Sequence, residues 1–206
     1  MMKLDKYKFT QNWVDGSYPD IPKYWYSIIQ DNKYKRLLEI GTLEGRSLLY
    51  FVDAGIISAT CIDIWKTSKY FSNFNYNQKV LYEDYPNLEL LVLNGYSWDV
   101  IGSMLETKKL EPKRGFNKQE YDIIYVDASK YPHNTMIDAC MAFRVLRKGG
   151  CIIFDDYNWK RDNSNLTPKI GIDAFEKTHY DFIKQAEVNE YQKAWYKTDD
   201  IIIDTR

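Results

Sequence analysis

Cysteine, net charge and long apolar runs are all scarce in this chain. Its 206 residues contain three cysteines, Cys61, Cys140 and Cys151, an odd number with no Cys-x-x-Cys pair. Nothing there builds a disulfide framework, and each cysteine is expected to act as a small hydrophobe in a reducing compartment. The formal net charge of −1 argues against a general nucleic-acid binder. No uninterrupted apolar run reaches the roughly 18 to 20 residues of a membrane span. The start, MMKLDKYKFTQNW, has no apolar core of a signal peptide, so a cytoplasmic location is expected. Repeats and low-complexity linkers are also missing. The chain therefore reads as a single domain over 1–206, with residues 1–35 as a helical or lid-like segment packed on it.

Apolar side chains are plentiful, at 45% of the sequence, enough for a sizeable core. They fall in alternating blocks. PKYWYSIIQD (22–31) has helical spacing behind a proline, and RLLEI (36–40) is a short buried strand. GRSLLYFVDAG (45–55) predicts a helix closed by Gly55, and ATCIDIW (59–65) a strand. A helix over 76–85 ends before Pro86, followed by the strand LELLVLN (88–94) and a helix over 97–109. YDIIYVD (121–127), a helix over 134–148, the strand CIIFDD (151–156) and a helix over 169–178 come next. DFIKQAEV and KAWYKTDDIIID lie four residues apart and are expected to pair as an antiparallel hairpin. The whole is a doubly wound, mostly parallel, Rossmann-like seven-stranded α/β sheet with an antiparallel C-terminal edge. Ligands of such sheets bind beyond the carboxyl ends of the strands, so the residues that end each strand matter most.

The first such end is LLEIGTLEGRSLLYF, which carries Glu39, Gly41 and Gly45 as E-x-G-x-x-x-G. A dinucleotide fingerprint would be G-x-G-x-x-G, but Leu43 stands where the second glycine would admit a pyrophosphate. A P-loop would need lysine after its second glycine, and Arg46 is there instead. The turn suits a ligand that approaches the backbone without phosphate, and Glu39 suits a cation. The second strand ends in Asp63, placed to bond ribose hydroxyls, and the third in Asn94-Gly95-Tyr96-Ser97, a polar turn suited to an adenine edge. A cationic, phosphate-free ligand with ribose and adenine is S-adenosylmethionine.

In this order the motifs resemble those of class I S-adenosylmethionine-dependent methyltransferases. LEIGTLEGRS is similar to the first motif, CIDIW to the second, and YDIIYVDASK with LRKGGCIIFDDYNW to the later ones. FTQNW, IDIW, FDDYNW and PKIGIDAF resemble a subgroup of small O-methyltransferase-like proteins. The resemblance implies cofactor contacts from Glu39, Gly41, Thr42, Gly45, Ser47, Asp63, Ile64, Gly95, Ser97, Trp98 and Asp127. Asp127, Asp155 and Asp156 stand at neighbouring strand ends, the first two separated by 28 positions. Their oxygens suit Mg²⁺. The catechol-type enzymes place an Asp, a Lys three residues on and an Asp-Asn pair at this spacing, which Asp127, Lys130 and Asp155-Asp156 resemble. The closer subgroup reads Asp-Gly-Ser-His where this chain has Asp-Ala-Ser-Lys. Lys130 would have to replace that histidine, which requires a lowered pKa, and His133 is the alternative base.

The expected reaction is methyl transfer to a hydroxyl oxygen of a small molecule or glycan. Trp65, Tyr70, Phe71, Phe74, Tyr131, Tyr157 and Trp159 are expected near the rim. The aperiodic stretch WKTSKYFSNFNYNQ is a candidate lid over the acceptor. A silent S-adenosylmethionine-binding protein, an RNA methyltransferase using Lys113, Arg114 and Lys118, and a nicotinamide enzyme are the rival readings. The basic loop is interspersed with acids and reads as solvated, so nucleic acid is not the expected partner; a homo-oligomer is compatible with the sequence. His179 is read as structural or exposed.

Overall fold

The computed structural model describes residues 4–12, 20–110, 121–160 and 165–200. Seven strands form one sheet in the order β3-β2-β1-β4-β5-β7-β6. The strands are β1 (Arg36–Ile40), β2 (Ser58–Asp63), β3 (Glu89–Asn94), β4 (Tyr121–Val126), β5 (Leu146–Phe154), β6 (Ile183–Gln185) and β7 (Lys193–Lys197). The first five run parallel; β7 pairs antiparallel with both β5 and β6. The expected sheet and its antiparallel edge are both present.

Alternate residues of the central strands enter two separate cores. Leu37, Cys61, Ile123 and Ile153 pack against α1 (Ile21–Asn32), α2 (Arg46–Ala54) and α3 (Ser68–Asp84). Leu38, Ile62, Ile124 and Ile152 pack against α4 (Ser97–Leu110), α5 (Pro132–Val145) and α6 (Pro168–His179). Both faces are therefore covered, as continuous apolar strands demand. Trp25 is fully buried, stacked on Phe51 at 4.6 Å. Pro22, Pro132 and Pro168 sit in the first turns of α1, α5 and α6, where a missing N–H costs nothing.

Three expectations change. Helix α3 begins at Ser68, so most of WKTSKYFSNFNYNQ is helical rather than an irregular lid. Its buried face is Phe74, Asn77, Val80 and Leu81, and with Phe74 alone buried before residue 76 the first turns show no apolar period. Asn77 exchanges hydrogen bonds with the Lys8 backbone and donates to the Glu44 carbonyl, which satisfies a polar group in the core. The helix expected to reach residue 148 ends at Val145, and β5 starts at Leu146. Leu146 pairs with Tyr121, the chain bulges outward, and pairing resumes at Cys151 opposite Ile123. The strand β3 is the sheet edge, and Leu91 is exposed rather than buried. The basic loop with Lys113, Arg114 and Lys118, the final IIID of the last expected strand (201–204) and Trp13 of FTQNW lie outside the described residues. Cys61 and Cys151 are buried free thiols, and Cys140 is half-buried. His179 is buried and stacked on Phe175, which makes it structural. Among the described residues no helix is long and apolar enough to cross a membrane.

Candidate active site

The order 3-2-1-4-5 reverses direction at β1, so the helices after β1 and β4 leave on opposite faces and open a crevice between them. A cavity of about 760 Å³ lies there, lined by the loops that follow the first five strands. That size falls in the range of ligand sites.

Gly41 brings two of those loops together. Its φ is +92°, and a Cβ added there would stand 2.2 Å from the Asp127 carbonyl oxygen. Only glycine allows β1 and β4 to end this close. Leu43, Trp65 and Asp156 have positive φ values of 50°, 35° and 57°. All three line the cavity, so backbone strain is concentrated there.

Asp63 organises the first two loops. One carboxylate oxygen accepts the Leu43 amide at 2.8 Å, and the other accepts the Trp65 amide at 2.7 Å. The Trp65 indole closes the ring by donating to the Leu43 carbonyl at 2.7 Å. Carboxylate oxygens have two lone pairs each, so both of these can still receive a hydroxyl from the cavity.

Of the residues expected at the cofactor, Gly41, Thr42, Ser47, Asp63, Ile64, Gly95, Ser97, Trp98 and Asp127 all line this one cavity. Glu39 and Gly45 do not. Glu39 is entirely buried behind Ser47, whose hydroxyl donates to it at 2.5 Å. Burial raises the Glu39 carboxyl to about 7, and the Ser47 hydrogen bond opposes that rise. Gly45 caps α2 with φ +81° and packs against Phe74. On the far wall Ser97 donates to Asp138 Oδ1. Asp138 Oδ2 is buried with no partner among the described residues, and burial lifts the carboxyl to about 6.

The acidic rim follows β4 and β5. Lys130 Nζ lies 2.5 Å from Asp127 Oδ1 and also pairs with Asp156 Oδ2. Asp155 is held from below: Tyr125 donates to one oxygen at 2.7 Å and Gln192 to the other at 3.0 Å. The Trp25 indole donates to Gln192 in turn at 3.1 Å. Burial pushes the Asp127 and Asp155 carboxyls up; Lys130 pulls Asp127 back down, and Asp156 drives Asp155 higher.

Two expectations fail on this rim. Lys130 was to be a base with a lowered pKa, but two adjacent carboxylates raise it despite its burial. It is held as a cation. His133 is exposed on the first turn of α5, does not line the cavity, and lies against Tyr131. The expected Mg²⁺ site does not fit either. Two of its three carboxylates already hold an ammonium, and the third is bonded to Tyr125 and Gln192. Among the described residues no three His, Cys, Asp or Glu side chains are placed to hold a metal.

Sequence reasoning missed Glu44 and Arg46. Glu44 is buried and accepts both the amide and the hydroxyl of Thr10, plus the Asn73 amide. Arg46 donates to Gln11 and Asn12 and covers the Phe9 ring. Together they pin residues 8–12 over the cavity, where Phe9 and Gln11 line it. Two charges inside an otherwise apolar glycine turn were the available signal, since a buried charge needs a partner. Of the rim aromatics, Trp65, Tyr70, Tyr131 and Trp159 line the cavity; Phe74 is core, and Phe71 and Tyr157 lie off it.

The family model described as a methyltransferase domain matches residues 38–157, from the third residue of β1 through the acidic rim. The chain belongs to the methyltransferase domain family. Its fold is that of class I S-adenosylmethionine-dependent methyltransferases, and its structural neighbours include O-methyltransferases. One is an O-methyltransferase from Bacillus cereus solved with S-adenosylhomocysteine, with TM-score 0.63 and 19% identity over 87% of this chain and 81% of that one. TomG, an O-methyltransferase of Streptomyces achromogenes involved in tomaymycin synthesis and solved with S-adenosylmethionine, has TM-score 0.56 and 17% identity over 91% and 86%. The 1,6-didemethyltoxoflavin-N1-methyltransferase of Burkholderia thailandensis has TM-score 0.55 and 10% identity over 90% and 82%. At these identities the neighbours share the methyltransferase's fold and do not assign its acceptor. No curated protein matches the methyltransferase in sequence.

Proposed function

We propose that this methyltransferase transfers a methyl group from S-adenosylmethionine to a hydroxyl oxygen of a small molecule. The observation that carries the reading is the charge of the cavity wall. Glu44, Asp63, Asp127, Asp138, Asp155 and Asp156 line it against Arg46, Lys66 and Lys130. An acidic cavity disfavours a pyrophosphate and favours a cation.

S-adenosylmethionine supplies a methyl group on a positively charged sulfur, with no phosphate to accommodate. The residues present fit it. Asp63 offers two spare lone pairs to ribose hydroxyls. The unpartnered Asp138 Oδ2 fits the amino edge of adenine, which would satisfy a buried acceptor. Gly41 and Thr42 leave backbone accessible at the methionine end, and Glu39 adds negative charge behind Ser47. Trp98 stacks on Tyr96 at 4.8 Å beside that adenine position. Asp127 and Lys130 then stand at the acceptor end, with Tyr131 and Trp159 as its aromatic walls. The chain's task there is to align the acceptor oxygen and keep it electron-rich.

The test is transfer of labelled methyl from S-adenosylmethionine to a panel of catechols, simple phenols and sugars. A product bearing an O-methyl ether is expected, with Asp63→Ala raising the KM for the donor at least tenfold. The absence of label transfer to every acceptor, with S-adenosylhomocysteine still bound, would favour a silent binding protein. The observation behind that second reading is that Lys130 is held as a cation, so the expected base is missing.

A further inference from the structure

Lys130 sets a positive charge into the acidic rim. Its ammonium bridges Asp127 and Asp156, residues from two adjacent strand ends. An ammonium has three N–H donors. Two go to the carboxylates, which leaves one for a ligand in the cavity that Lys130 lines. The side chain is 32% exposed, enough to be reached from that cavity. Asp155 completes the rim without touching the lysine as an ion pair, and it is fixed by Tyr125 and Gln192. The arrangement balances charge with a side chain set between two carboxylates.

Resting on the methyl-transfer reading of this site, we propose that Lys130 is its resident cation. It takes the place of a divalent metal and holds the acceptor oxygen with its third N–H. Lys130 is then an electrostatic clamp rather than a base. The acceptor hydroxyl gives its proton to water, and the resulting anion is held against the ammonium. Its lone pair forms the new carbon–oxygen bond while the sulfur–methyl bond breaks, with the sulfur keeping the electron pair. One ammonium suffices for a hydroxyl of phenol-like acidity, which ionises near pH ~10 unaided. An alkyl alcohol is too weak an acid for this arrangement.

The experiment is a Mn²⁺ titration of the full chain followed by electron paramagnetic resonance. The wild type is expected to leave millimolar Mn²⁺ free. Lys130→Ala and Lys130→Met uncover the carboxylates and are expected to bind Mn²⁺ at least tenfold more tightly. Methionine keeps the aliphatic stem in case alanine does not fold. Stoichiometric Mn²⁺ binding by the wild type that disappears in Asp155→Asn would overturn the proposal. So would folded Lys130 variants that bind no Mn²⁺, because the ammonium would then not be what keeps metal out. S-adenosylhomocysteine binding, measured on the same samples by calorimetry, reads the methyl-transfer assignment separately. Its loss in the wild type would sink that assignment whatever the metal result.

Discussion

Single residues carry opposing demands in this site, and Glu39 shows it best. Its carboxyl is buried and raised to about 7 from an ordinary value of 4.5. An acid whose pKa is raised by folding is more protonated in the folded state than in the unfolded one. Its contribution to stability is therefore full below pH 4.5 and is lost as pH rises through 7. The shift corresponds to roughly 3 kcal/mol. Glu39→Gln should match the wild type in urea unfolding at about pH 4 and exceed it by about that amount at about pH 8 in the absence of ligand. The same variant should bind S-adenosylhomocysteine more weakly. Equal pH slopes in the two proteins would show that Glu39 is not the titrating group. Gly41 makes a simpler case. Gly41→Ala drives a Cβ into the Asp127 carbonyl at 2.2 Å and should cost about 2–4 kcal/mol, read by the same unfolding measurement. These two residues were legible in the sequence because glycine and a lone acid in an apolar strand have few other uses. The protonation state of Lys130 was not. It depends on Asp156, which is 26 positions away and reaches the ammonium only because β4 and β5 are neighbours.

At the scale of elements, apolar runs and glycine stops marked most strands and helices, because burial imposes its period directly on the sequence. The start of α3 was hidden because Phe74 is the only residue buried in its first two turns, too few to set a period, while Asn77 further along is satisfied by partners on Lys8 and Glu44. The early start of β5 was hidden by its bulge, a feature of pairing rather than of local pattern. The same long-range logic governs residues 8–12, part of the segment expected to pack on the domain like a lid but with no period that assigns its contacts. Glu44→Ala removes the acceptor of the Thr10 amide at 2.8 Å. It should raise hydrogen exchange at Thr10 and its neighbours and cost about 1–3 kcal/mol. Unchanged exchange at Thr10 would mean that Glu44 does not anchor this segment. The network Trp25–Gln192–Asp155 similarly joins the first helix to the last strand pair, and nothing in the sequence of Gln192 announces it.

The whole molecule reduces to one crevice where the sheet reverses its winding. Five strand ends contribute to it, and each is legible in the sequence as the close of an apolar run. The family is therefore visible in the order of the motifs. The acceptor is not, because its walls come from aromatic residues whose placement is set by packing. The central claim is that the acidic crevice takes S-adenosylmethionine. The most direct test is thermal unfolding of the full chain with S-adenosylhomocysteine, with NAD⁺ as the control. A saturable rise in Tm with S-adenosylhomocysteine alone is expected, abolished by Asp63→Ala. A rise with NAD⁺ instead would contradict the reading of the Gly41 turn, and no rise with either nucleotide would contradict the assignment of the cavity.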